Sequence, residues 1–156
     1  MFADGGYYGV AAADLGTGMC EATELIVGRP QNRLIDEICR YSPEELICNA
    51  AFLEDPARAL LDARITPLMT IRPESVFSRE AASRLLPRAV EDTDLKARAA
   101  AALMNYLTDT QKTVIGHIEP VRFYTVETTM GIDATARRNL ELTESYRERG
   151  RKGSLL

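Results

Sequence analysis

An α/β domain followed by a mainly helical segment is the fold class that this 156-residue sequence predicts, and three observations lead to it. Short apolar runs alternate with helix-spaced apolar repeats up to about residue 93, and Gly, Pro and Asp mark the joints between them. Beyond that point a long Ala-rich helix is expected with no strand partner nearby, so a domain boundary is placed close to Thr93. Hydrophobic residues make up 46% and charged residues 27%, enough apolar material for one buried core without disulfides or metals.

The elements follow in order. Tyr7–Asp14 and Met19–Val27 read as two strands joined through Gly16, Thr17 and Gly18, a hairpin. Pro30 suits the first position of a helix in which Leu34, Ile35, Ile38 and Cys39 face inward while Gln31, Arg33, Glu37 and Arg40 face away. Ser42 and Pro43 end it. The run Glu45–Asn49 is too short for a helix and fits a buried strand, and Asp55-Pro56 starts a helix through Leu60 and Leu61. Ile65–Ile71 is a further strand, placed at a sheet edge by Pro67.

Ser78 caps a short helix carrying Ala81, Ala82, Leu85 and Leu86, with Phe77 set to staple its first turn. Leu95, Ala99, Leu103, Tyr106 and Leu107 define the long helix. Then come a linker at His117–Pro120, an extended piece at Val121–Val126, and a helix from about Asp133 through Leu142.

Charge narrows the function classes. Residues 1–78 hold six Arg and no Lys against twelve acidic side chains, a net −6, whereas residues 79–156 carry +2. An acidic first half is ill suited to gripping a phosphate backbone. Arg147, Arg149, Arg151 and Lys152 form a basic run that can touch phosphates but is more simply a solvated tail. Cys20, Cys39 and Cys48 match no zinc or redox spacing and read as buried, reduced thiols. With no signal peptide and no long apolar span, the expected location is the cytoplasm, away from membranes.

Few residues are candidates for chemistry. Asp14-Leu15-Gly16-Thr17-Gly18 resembles a phosphate-binding hairpin or a first-strand metal carboxylate, which would make the chain a small phosphotransferase or nuclease using Asp14. The simpler reading is a tight turn, since later carboxylates to share a metal are missing. Gly150–Ser154 has Lys before Gly, the wrong order for a P-loop, and His117 has no partner nearby in sequence. Tyr7, Tyr8, Phe123 and Tyr124 lie in strand-like segments, where packing outweighs base stacking.

Longer motifs add a resemblance. Tyr106–Thr113 (YLTDTQKT), His117-Ile118 and Met130–Leu142 (MGIDATARRNLEL) are similar to the start of the lever domain of the MutS family of DNA mismatch repair proteins. Tyr7–Gly18 (YYGVAAADLGTG) and Arg40–Asn49 (RYSPEELICN) resemble, more loosely, its connector domain.

The resemblance implies a ribonuclease-H-like connector sheet with flanking helices over residues 1–93 and the truncated beginning of the lever domain over 94–156. It further implies a non-catalytic relay within a protein that acts as a homodimer, binds mismatched duplex DNA, binds and hydrolyses ATP with magnesium, and recruits MutL. The family's Phe-x-Glu mismatch-reading domain would lie before Met1 and its P-loop ATPase beyond Leu156, so no cofactor, metal or catalytic residue is expected here. The stretch Leu86–Leu95 is shorter than in relatives, and Arg151–Leu156 stops inside a family pattern. Arg79, Ser83 and Arg84, on the polar side of the Ser78–Leu86 helix, are the candidate contacts for MutL. Apolar positions Leu140, Leu155 and Leu156 could drive self-association.

Overall fold

The computed structural model describes residues 1–26, 32–86, 95–110 and 118–126, and the chain separates into compact units at 1–126 and 127–156. The readings for Pro30, His117, the Asp133–Leu142 helix, the P-loop-like Gly150–Ser154 and the basic run at 147–152 therefore fall outside the described residues.

In the first unit, β1 (Phe2–Asp4), β2 (Tyr7–Ala13) and β3 (Cys20–Ile26) form an antiparallel meander. Gly5 and Gly6 make the first turn with φ of 55° and 90°, values that only glycine adopts cheaply in succession. The parallel strand β6 (Arg122–Phe123) then pairs with β3, giving the order β1-β2-β3-β6. A second, two-stranded parallel sheet joins β4 (Glu45–Cys48) to β5 (Leu68–Ile71). The single sheet expected from the sequence is thus divided in two, and an asparagine stitches the parts. The buried Asn49 side chain accepts from Ala3 N (3.0 Å) and donates to Ala3 O (2.9 Å), doing for β1 what a ladder peptide does. Next to it, Met1 N donates to Ile47 O at 2.6 Å.

Side-chain alternation along β2 sorts the layers. Tyr8 and Val10 enter a core built from α1 (Asn32–Tyr41) and α2 (Pro56–Asp62), with Leu34, Ile35, Ile38 and Leu61. Ala11 instead meets α4 (Leu95–Thr110) through Ala99 and Ala102, together with Phe2 and Phe77, whose rings stack at 5.4 Å. The third helix, α3 (Arg79–Leu85), packs Ala82 against Ala97 and Ala101 of α4. Helices therefore cover both faces of the meander.

Local chemistry explains the helix ends. The Asp55 side chain accepts from Ala57 N at 2.8 Å and Ser78 Oγ from Ala81 N at 3.1 Å, both caps as expected. Ser42, with φ of 44°, turns the chain out of α1 just before Pro43.

Two expectations are corrected. The long helix does have strand partners: α4 lies on β2 so closely that a Cβ on Gly9 would stand 2.1 Å from Leu95 O. Its small side chains and that glycine permit the approach, and α4 belongs to the compact unit that runs to Val126. Glu37, assigned to the outer face of α1, is buried. It faces inward because polar partners wait for it there.

Candidate functional site

Those partners form the most distinctive polar cluster among the described residues. Glu21 and Thr23 project from one face of β3, Glu37, Arg40 and Tyr41 come from the last turns of α1, and Tyr124 follows β6. Glu37 Oε1 accepts from Arg40 Nε at 2.8 Å and from the Tyr124 hydroxyl. Arg40 Nη2 donates to Tyr124 Oη at 2.8 Å and to Tyr41 Oη, and Tyr41 Oη donates to Glu21 Oε2 at 3.0 Å. The guanidinium also lies over both rings, 4.4 Å from Tyr41 and 5.0 Å from Tyr124. On the outer side, the largely exposed Arg122 pairs with Glu21.

Electrostatics follow from this burial. Desolvation, and then the bond to Glu37, push the Tyr124 phenol up to about 12. Burial raises Tyr41 as well. For Arg40, burial alone would lower the pKa, but Glu37 and the tyrosine oxygens turn the net shift upward. The two phenols and the guanidinium are thereby each held protonated at neutral pH, which suits a structural tie better than proton transfer. The sequence held one hint of this cluster: Glu21 and Thr23 are polar residues two apart, on one face of a strand.

A cleft of about 650 Å³ opens beside the cluster, between the ends of β2 and β4, the end of α1 and the second half of α4, with Arg40, Tyr41, Glu45 and Tyr106 in its wall. Tyr106 Oη donates to Glu45 Oε1 at 2.8 Å, tying α4 to β4 in this wall, and outside it Arg72 Nη2 donates to Asn105 Oδ1 (3.1 Å) and Asp109 Oδ2 (2.7 Å) of the same helix.

Asp14, the candidate phosphate or metal residue, is instead taken up by its own turn. Its Oδ1 accepts from Gly16 N at 2.8 Å and Thr17 N at 3.4 Å, Gly18 N donates to Asp14 O, and Gly18 has φ of 79°. The bond from Gly16, followed by those from Thr17, holds the exposed carboxylate below its usual range. No group of three or more His, Cys, Asp or Glu placed to hold a metal occurs among the described residues.

Arg79, Ser83 and Arg84 are all exposed on α3. Arg84 also lines, with Ser75, Glu80, Leu85 and Asn105, a smaller cleft of about 280 Å³ against α4. None of the three cysteines is in a disulfide among the described residues. Cys20 and Cys48 are buried, while Cys39 is only half-buried, and burial pushes the Cys20 thiol up to about 11. No described helix is long and apolar enough to cross a membrane.

A family model described as MutS domain II matches residues 1–119. The chain belongs to the MutS family. A DNA mismatch repair protein MutS from Acetivibrio thermocellus is 37% identical over 158 residues, covering 96% of this chain and 18% of that relative. Its namesakes from Ruminiclostridium cellulolyticum, 34% identical over 164 residues, and Bacillus velezensis, 36% over 155, cover 100% and 99% of this chain and 19% and 17% of themselves. The chain thus spans less than a fifth of the length of these MutS relatives. The match to MutS domain II runs past Thr93 and through α4, in keeping with the packing of that helix on the sheet.

Proposed function

We propose that this chain is the connector portion of a MutS mismatch repair protein: a relay without catalysis of its own, built on a ribonuclease-H-like frame and leading into the lever domain. The observation that carries this reading is near-complete coverage of the chain by a stretch that is under a fifth of each MutS relative. Supporting it, the most distinctive buried polar groups tie elements together, and Asp14 is engaged in a turn.

On this reading, mismatched duplex DNA, ATP with magnesium, and homodimer formation belong to the full-length protein, and its setting is the cytoplasm. The chain's own share is to keep neighbouring domains in register and to offer MutL a docking face on α3. Arg79, Ser83 and Arg84 are proposed for that face because they are exposed on one short helix of a chain whose first half is acidic. Reversing the charge at Arg79 and Arg84 should weaken MutL binding without changing the melting temperature. Unchanged MutL binding by this double variant would remove α3 from the docking face.

A further inference from the structure

The segment 118–126 is the last described part of the first compact unit, and residue 127 begins the second. Its hold on the sheet is slight in backbone terms. The strand β6 is two residues long, and the bonds that flank it are Glu119 N to Gly18 O (2.8 Å) and Tyr124 N to Ala22 O (3.0 Å). An edge strand this short opens readily unless side chains hold it.

Here Arg122 pairs with Glu21 and Phe123 and Val126 pack on the core, but the hydrogen bonds to α1 converge on Tyr124. Tyr124 accepts from Thr23 Oγ1 at its carbonyl (2.8 Å), and its hydroxyl reaches Glu37, Arg40 and Tyr41 on α1, 83 or more residues earlier in the chain. Both carboxylates of the cluster are buried, Glu21 at 3% and Glu37 at 5% exposed, so each needs its donors to remain in place. Withdrawing Tyr124 would take a hydrogen bond from Glu37, and from Arg40 both a hydrogen bond and a stacked ring. Conversely, disturbing the end of α1 removes the hydroxyl anchor that follows β6.

We propose that residues 118–126 form a releasable strap, locked by the Tyr124 hydroxyl to the C-terminal turn of α1. A displacement of the chain at Val126 is then transmitted to α1 through side chains, and not through the two-residue ladder. Tyr124 is a positioning residue in this scheme. The inference concerns this chain's own coupling and stands apart from the MutL assignment.

Native-state amide exchange on the whole 156-residue chain tests it. Tyr124→Phe keeps the ring and deletes the hydroxyl, so exchange at Arg122–Val126 should accelerate by roughly tenfold to a hundredfold, as expected for a hydrogen bond to a charged group. Amides of Arg40 and Tyr41 should accelerate with them, while the β1–β2 ladder keeps its protection. Tyr41→Phe should loosen the same two segments, and the double variant should do less than the product of the two single effects. Unchanged exchange at both segments, or one uniform acceleration over all amides, would overturn the proposal. So would loosening of the strap with α1 unaffected.

Discussion

Replacing Gly9 with alanine is the sharpest test of where α4 belongs. The added Cβ would lie 2.1 Å from Leu95 O, 2.6 Å from Leu95 C and 3.2 Å from Ala99 Cβ. Two of these are backbone atoms of α4, so no side-chain rotation relieves the clash. Comfortable contact needs roughly 3.5 Å, so helix and strand must separate by about 1.4 Å. That separation would loosen the contacts of Ala11, Ala99 and Ala102 in the same layer.

Overpacking of this kind costs about 1–3 kcal/mol, and a backbone clash belongs at the upper end. Against it stands the smaller entropy of the unfolded Ala chain, roughly 0.4–1 kcal/mol in favour of the variant. The net is a loss of about 2 kcal/mol, or a fall in melting temperature of roughly 4–8 °C for a domain near this size. Urea and thermal denaturation followed by circular dichroism measure it. A variant as stable as the parent, or more so, would mean that α4 does not lie on β2 and that the helix belongs to a separate segment.

Other perturbations address other joints. Asn49→Ala leaves Ala3 N and O buried without their partner and should cost about 3 kcal/mol in urea unfolding, close to the sum of two unsatisfied groups. The buried Met1 amine, lowered to about 6 mainly by desolvation, refuses a proton that the unfolded chain takes up near 8. Stability measured with Met1 free should therefore fall by roughly 3 kcal/mol as pH drops from 8 to 6 and then level off, and acetylation should abolish that slope. At pH 8 the Cys20 thiol, with its pKa near 11, should resist a disulfide reagent until the protein is unfolded, as followed by thiol titration. Asp14→Asn can still accept from Gly16 N, so calorimetric titration with magnesium should give the same trace for variant and parent.

What the sequence disclosed and what it hid divide along local and distant causes. The hairpin, the strand at 45–48 and the caps Asp55 and Ser78 were legible because period, turn residues and capping chemistry act within a few positions. Strand β1 escaped notice because it is three residues long, although Asp4-Gly5-Gly6 before an apolar run was a hairpin signal. Periodicity alone turns Glu37 outward, yet its partner Tyr124 lies 87 residues later, a distance that no helical pattern encodes. For α4, an Ala-rich helix gave no sign of its neighbour until Gly9 was seen beneath it. Arg79, Ser83 and Arg84 lie on a polar helix side that the sequence marks and the structure leaves exposed, but exposure does not name a partner.

The most direct test of the connector reading is binding of the purified chain, side by side at moderate salt, to MutL from the same source and to mismatched duplex DNA. The account predicts MutL binding without mismatch-selective binding of DNA. Tight, mismatch-selective DNA binding by the chain alone, or failure to bind MutL, would contradict it.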